Sequence, residues 1–416
     1  MIKPLSILFA CVVLPLSGIA VEQSSAQQLA SKVQLSKQQS SKTLFSGVEF
    51  GSQDSVLVVD QSGRTLFDWQ GEKLLVPASL TKLATAYIAI NKWGLNHRFT
   101  TDFYFHQDDL WVKGYGDPFI ISEELETIAR ALNSKEVKAP QSIRIDSSYF
   151  DVEVVPGRTK VADPYNAPLA ATSANFNTAM LRRKGGRIIS AEPQTPLTPT
   201  AVKVARAVGD KVERINFVSV DNAQRNFAEL LGLKAGWTDV SVQINQALPE
   251  NAQLVYQHQS SKTLAQVLQG ALEYSNNFIA NQVFLKLADQ PGGESVSFEQ
   301  AKRLAHTALS TEFGWQEFAL DEGSGLSRGN RLSARQLIEL LGELKPYRTL
   351  LKRYEIESSN AIVHAKTGTL TGVHSFAGYI EDKGQQYRFV FNFNRQVPYR
   401  YRLQILKKLL HDLQER

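Results

Sequence analysis

Apolar residues recur along this chain in two periods, and their order sketches an architecture before any chemistry is considered. Ser55-Val-Leu-Val-Val-Asp60 and Thr65-Leu-Phe-Asp-Trp69 are short apolar runs separated by the turn signal Gln61-Ser-Gly63, which predicts two strands. From Ser79 to about Trp93 the chain is rich in Ala, Leu and Ile and predicts a helix. Between 94 and 260, strand-like runs (Phe99–Phe105, Leu110–Lys113, Ser142–Ile145) alternate with turn residues. There Pro193, Pro196 and Pro199 mark Ser190–Thr200 as a loop. From Thr263 the period becomes helical again, over 263–274, 278–288, 297–309 and 333–345. His374–Ile380 and Gln386–Phe393 then alternate around Asp382-Lys-Gly384 and predict a β-hairpin. An amphipathic helix over about 400–414 closes the pattern. Its basic face would suit a membrane surface, but a terminal helix packed on a sheet needs the same stripe, and that is the preferred reading.

These elements describe an α/β (α+β) protein. Strands from the beginning and end of the chain pair in one central antiparallel sheet, covered by the helices of 79–93 and 263–345. The expected catalytic domain is therefore discontinuous, 21–93 and 261–416, with a long mixed α/β insertion over 94–260. No internal repeat or coiled coil interrupts this order.

The N-terminus adds a location. Met1-Ile-Lys3 supplies a positive start and Leu5 to about Leu16 an apolar run too short to span a membrane and remain there. Small residues follow, so 1–20 reads as a secretory signal, with cleavage after 26 as the alternative, ahead of a Gln/Ser/Lys-rich lead-in over 22–43. The single cysteine, Cys11, lies inside the signal, so disulfide and thiolate chemistry are excluded from the mature protein. An extracytoplasmic, periplasmic location without a transmembrane span is expected. The net charge of +5 suits an anionic surface, but no block of Lys and Arg interleaves with aromatics, so nucleic acid is not an expected partner. The seven histidines show no paired helical spacing, and neither a metal site nor a cofactor is expected.

Three short motifs could carry chemistry. Ser79-Leu-Thr-Lys82 is the only Ser-x-x-Lys in the chain, and its spacing places both side chains on one helical face. A serine hydroxyl is a poor nucleophile until a neighbouring base takes its proton, and lysine serves only if burial or nearby cations lower its pKa. Alone, such a match is as readily a surface serine followed by a solvated lysine. Ser275-Asn-Asn277 and Lys366-Thr-Gly368 follow it in order; Ser173-Ala-Asn175 and Ser358-Ser-Asn360 show how common Ser-x-Asn is.

In an acyl-transfer site each motif has a task. Ser79 attacks a carbonyl and Lys82 takes its proton. Lys366 lowers the pKa of Lys82 and attracts a substrate carboxylate. Ser275 relays a proton to the leaving amine, and the Asn277 amide fixes Lys82 or the substrate. Lys366-Thr-Gly-Thr369 reads as the start of a strand on which a substrate pairs, the Ser79 and Thr369 N–H groups forming an oxyanion hole. No G-x-S-x-G elbow supports a Ser/His/Asp alternative, although spatial neighbours leave that triad open.

In these motifs and their surroundings the chain resembles D-alanyl-D-alanine carboxypeptidases of the type-4 (class C, low-molecular-weight) penicillin-binding family. The resemblance is carried by PASLTK, KGYGDP (113–118), IRIDSSYFD (143–151), YNAPLAATSANFN (165–177), SNNFIANQVF (275–284), GSGLSRGNRLS (323–333) and AKTGTLTGVHSFAGYI (365–380). It implies a serine β-lactamase/DD-peptidase-like fold and a penicillin-sensitive peptidase without cofactor. The implied partners are peptidoglycan stem peptides ending in D-Ala–D-Ala, with cross-links of D-Ala to diaminopimelate as a second substrate and β-lactams as covalent inhibitors. It also implies substrate contacts from Thr367, Gly368 and Thr369, from Arg328 beside the site, and from Asp163 and Tyr165 in a side-chain pocket. The insertion is shorter than usual for the family between Asn177 and Val218, Glu322 stands where Asp or Asn is usual, and Lys160 aligns with the pocket acid. Two other readings share part of this pattern: a serine β-lactamase, although no Glu-bearing water-activating loop is visible between Asn277 and Lys366, and a non-catalytic binder of wall peptides.

Overall fold

The computed structural model describes residues 44–135, 137–152, 154–159, 161–290, 295–356 and 359–415. The expected signal segment with Cys11, the lead-in up to residue 43, and Lys160 lie outside them. Strands β1 (Asp54–Asp60) and β2 (Thr65–Trp69) come first, and helix α1 (Thr81–Trp93) follows a 3-10 turn at Ala78–Leu80. Next are β3 (Thr100–His106), β4 (Asp109–Gly114), α2 (Ser122–Ser134), β5 (Ser142–Asp146), β6 (Thr178–Lys184) and β7 (Arg187–Ser190). They are followed by α3 (Pro199–Val204), β8 (Glu213–Asn216), α4 (Val220–Ala235), β9 (Ser241–Gln246) and β10 (Gln253–Gln259). Helices α5 (Leu264–Glu273), α6 (Asn277–Lys286), α7 (Phe298–Phe313) and α8 (Ala334–Glu343) precede β11 (Lys352–Tyr354), β12 (Ile362–Leu370), β13 (Val373–Asp382), β14 (Gln385–Phe393) and α9 (Tyr401–Gln414).

The largest sheet has six strands in the order β11-β12-β13-β14-β1-β2, all antiparallel. Strand β1 pairs with β14, Asp54 opposite Phe393, so the two ends of the chain share a sheet as expected. Alternate residues divide its two faces between separate cores. Leu57, Val59, Ala377, Tyr379 and Val390 face α1 and α5 to α8, whereas Val56, Val58, Phe376, Phe389 and Phe391 face α9. Helix α9 seats Ile405, Leu406, Leu409 and Leu410 in that second core, so its apolar stripe packs on the sheet. No described helix is long and apolar enough to cross a membrane.

The segment between α1 and α5 builds two further sheets. One has the order β10-β3-β4-β5-β9, with β4-β5 and β5-β9 parallel, and α2 and α4 cover it through Leu125, Ile128, Phe227 and Leu231. The other has three strands, β7-β6-β8, closed by α3 over Leu181, Ala201, Ile215 and Phe217.

Two expected boundaries shift. The proline loop ends at Thr198, whose hydroxyl accepts from the Ala201 N–H and starts α3 with Pro199 in its first turn; proline is preorganised for that position. Lys366 does not start its strand: β12 begins at Ile362, because Val363 and Ala365 bury into the α9-side core, and Lys366-Thr-Gly-Thr369 occupies its second half.

Candidate active site

Ser79 lies in the 3-10 turn and Lys82 in the first turn of α1, where the Thr81 hydroxyl donates to the Ala78 carbonyl at 2.9 Å. The expected i, i+3 proximity is present: Lys82 Nζ is 3.0 Å from Ser79 Oγ. Lys82 is 1% exposed, and its ammonium nitrogen also meets Asn277 Oδ1 at 2.7 Å and the Ser324 carbonyl at 2.6 Å. Burial pushes its pKa down from 10.5 to about 7, against the pull of the Glu322 carboxylate. Desolvation, one of the two causes expected from the sequence, is thus the leading one. Two carbonyl acceptors occupy two N–H bonds of a neutral amine, and its lone pair is left for the Ser79 hydroxyl proton.

Ser275 and Asn277 arrive from the junction of α5 and α6. Ser275 takes a left-handed backbone, φ 58°, which turns the chain sharply between the helices, and Asn276 caps α6 by accepting from the Ile279 N–H. That turn places Ser275 Oγ 2.8 Å from Lys366 Nζ, while Asn277 lies at the start of α6, facing Lys82. Lys366 is also buried and donates to the Thr367 carbonyl at 2.8 Å. Its pKa lies well below the ordinary lysine value, chiefly through burial, with the charges of Lys82, Arg402 and Lys352 adding to the effect.

Strand β12 passes directly against the turn that holds Ser79. A Cβ on Gly368 would fall 2.2 Å from Ser375 Oγ and 2.9 Å from the Ser79 nitrogen, so only glycine permits this approach. Ser375 donates to the Pro77 carbonyl at 2.7 Å and ties β13 to the same turn. In the ladder closed by the two-residue turn at Thr371-Gly372, Thr369 and His374 form the pair whose N–H groups point outward, leaving the Thr369 N–H free of β13.

Of the substrate residues expected from the resemblance, Thr367, Gly368 and Thr369 lie on this strand beside Ser79. Arg328 is exposed and donates to the Thr371 carbonyl in the turn that follows. Tyr165 is 57% exposed; its carbonyl accepts from Asn277 Nδ2 at 3.2 Å, and its hydroxyl donates to Asp163 at 2.9 Å. The two therefore lie on the Asn277 side of the site, and neither is among the hydrogen-bond partners of Lys82 or Lys366.

Three groups have supporting roles that the sequence did not show. Glu322 is fully buried and accepts from the N–H groups of Ser324, Gly325 and Ser327 at 2.9, 2.7 and 3.2 Å and from Asn330 Nδ2 at 2.7 Å. It thereby gathers the loop that presents the Ser324 carbonyl to Lys82. Asn281, one turn beyond Asn277, accepts from the Gly323 N–H at 2.8 Å, a relation the i, i+4 spacing on α6 could have signalled. Arg402 of α9 donates to the Gly368 carbonyl at 3.0 Å and to Thr369 Oγ1 at 2.9 Å; nothing local in the sequence links it to β12.

Known proteins resemble this chain in sequence and in fold. A D-alanyl-D-alanine carboxypeptidase from Actinomadura sp. (strain R39) is 23% identical, with 79% of this chain and 75% of that protein aligned. The crystal structure of penicillin binding protein 4 from Haemophilus influenzae superposes with a TM-score of 0.69 at 19% identity, covering 91% of this chain and 98% of that one. A predatory peptidoglycan endopeptidase from Bdellovibrio bacteriovorus superposes with a TM-score of 0.52 at 14% identity, covering 86% and 91%. Both structures share the fold. The sequence model of one family matches residues 46–224, 204–352 and 347–407, which together span nearly all of the described chain, and on that match the chain belongs to the D-Ala-D-Ala carboxypeptidase 3 (S13) family.

Proposed function

We propose that the protein is a serine-type D-Ala–D-Ala carboxypeptidase acting on peptidoglycan stem peptides through an acyl-enzyme on Ser79. The observation that carries this reading is the Ser79–Lys82 contact of 3.0 Å, with Lys82 buried at a pKa of about 7 and its other partners both carbonyl oxygens. Ser79 Oγ attacks the carbonyl carbon of the penultimate D-Ala while its proton passes to Lys82 Nζ. The developing oxyanion faces the Ser79 and Thr369 N–H groups. When the peptide bond breaks, Ser275 Oγ protonates the departing D-Ala nitrogen and recovers its proton from Lys366 at 2.8 Å, and the proton that Lys82 took from Ser79 restores Lys366 and leaves Lys82 neutral again. Water then attacks the ester, losing a proton to Lys82, which returns it to Ser79 Oγ as the ester bond breaks, and the shortened stem leaves. Thr367 and Thr369 hydroxyls, backed by Lys366, receive the terminal carboxylate, and Arg328, Asp163 and Tyr165 border the donor side chain.

A β-lactam opens on Ser79 by the same first step. Activity on D-Ala–diaminopimelate cross-links, a periplasmic location and a discontinuous catalytic domain broken by the 94–260 insertion belong to the same reading. Fluorescent penicillin tests it: we expect one label per chain, abolished by Ser79→Ala, and release of D-alanine from a pentapeptide stem. Absence of label on folded wild-type protein would leave a binder of wall peptides, and turnover of a chromogenic cephalosporin faster than about one per second a β-lactamase.

A further inference from the structure

The positive charge of this protein is concentrated in one place. Residues 178–216 hold eight of the 46 Lys and Arg and three of the 41 Asp and Glu, so this stretch carries +5 and the remainder, 38 of each sign, carries none. That stretch is the three-stranded sheet β7-β6-β8 with α3.

Within it the cations gather at one end. Lys184 and Arg187 flank the Gly185-Gly186 tip of the β6-β7 hairpin, where a Cβ on either glycine would meet only open space. The loop leading into β8 lies against that tip: the Arg183 N–H donates to the Gly209 carbonyl at 2.7 Å, and the Arg183 guanidinium to the Val208 carbonyl at 3.2 Å. This brings Arg206 and Lys211 beside the hairpin, with Lys203 in the last turn of α3. Lys184, Arg187, Lys203, Arg206 and Lys211 are all exposed. None of these five forms an ion pair with a described carboxylate; the stretch's ion pair joins Arg214 to Glu192. The facing acids are Asp210 and Glu213, the latter accepting from the Gly209 N–H at 3.3 Å.

The opposite end of the same small sheet touches the strap bordering the nucleophile. The Asn216 N–H donates to the Ala162 carbonyl at 2.9 Å, and its amide to the carbonyls of Val161 and Asp163 at 2.8 and 2.6 Å. Tyr165, at the end of that strap, meets Asn277. From Asn216 to Glu213 strand β8 spans roughly 10 Å.

We infer that this basic end is a docking surface for the carboxylate-bearing polymer on which the site acts, holding an anionic wall strand while one of its stems enters the site. The inference rests on the function proposed above for the partner's identity. An anionic membrane fits less well, because the large apolar side chains exposed on this lobe are only Val202 and Val212, with no exposed aromatic to enter a headgroup layer.

The test compares wild type with the Lys184→Glu/Arg187→Glu/Lys211→Glu variant, both shown folded by circular dichroism and by stoichiometric penicillin labelling. Binding to purified insoluble peptidoglycan is measured by co-sedimentation between about 50 and 300 mM NaCl, a range that screens exposed charges. We expect wild-type binding to weaken with salt, the variant to bind about tenfold more weakly at low salt, and both to release D-alanine from a soluble stem peptide at the same rate. Equal sedimentation of the two proteins would overturn the inference, as would salt-independent binding of wild type. Binding to phosphatidylcholine–phosphatidylglycerol vesicles without binding to peptidoglycan would overturn it in favour of a membrane. Failure of labelling and of soluble turnover would instead strike the proposed function.

Discussion

The proton acceptor makes the sharpest demand on this protein. An ordinary lysine, with a pKa near ~10.4, is neutral in roughly one molecule per 2,500 at pH 7. Lys82, brought to about 7 by burial, is neutral in about half of them. The gain in competent base is about a thousandfold, equivalent to ~4–5 kcal/mol. Because the group's pKa is lowered, the active form accumulates as pH rises through 7. From pH 6 to pH 8 the neutral fraction climbs from about 0.09 to about 0.91, so the second-order rate of acylation should rise about tenfold and level off above pH 9. Stopped-flow fluorescence with a subsaturating fluorescent penicillin measures that rate directly. Lys82→Arg supplies the control, since a guanidinium stays protonated throughout and should leave acylation near background. A flat rate from pH 6 to 10, or a midpoint near 10, would refute the role given to Lys82.

Two further substitutions probe the scaffold around Ser79. Gly325 has φ +83°, and a Cβ there would fall 1.8 Å from the Ala78 carbonyl; Gly325→Ala should cost on the order of 3 kcal/mol in urea unfolding and slow acylation of whatever remains folded. An unchanged unfolding midpoint would contradict the packing described. Arg402→Met removes the donor that holds the Gly368 carbonyl and Thr369 Oγ1. Acylation should fall about tenfold, more for substrates carrying a carboxylate than for their esters, with Lys partly restoring it; equal losses for acid and ester would reduce Arg402 to a structural prop.

Much of this site could be read before the fold was known, for identifiable reasons. Ser79 and Lys82 are three residues apart on one helix, so local geometry alone brings them together. The hairpin of β13 and β14 and the terminal helix obey simple periodicities, and both formed where expected. Ser275, Asn277 and Lys366 were legible only as motifs in order, since their meeting depends on closure of the whole sheet. Glu322 could be seen as a substitution, but its task is not local: it gathers four N–H donors from Ser324 to Asn330 around one buried carboxylate. Arg402 looked like one cation of a basic face because amphipathicity cannot distinguish a side chain aimed at solvent from one aimed at a neighbouring strand's carbonyl. The parallel pairs β4-β5 and β5-β9 were similarly hidden, as each depends on crossovers that carry no short-range signal.

The pairing of β1 with β14 also dictates when the protein can become an enzyme. A chain emerging from its N-terminal side presents Ser79 and Lys82 early, yet the strand carrying Lys366, and the sheet that holds it, cannot assemble until the final segment follows. Until then β1 has an unpaired apolar edge, the kind of template on which incomplete chains associate. Closing so long a loop is also slow relative to local helix formation. The nascent protein thus passes through an interval in which Ser79 and Lys82 lie apart from Lys366 and its sheet edge is exposed. Groups brought together only when the first and last strands pair cannot act in concert in the unfinished molecule.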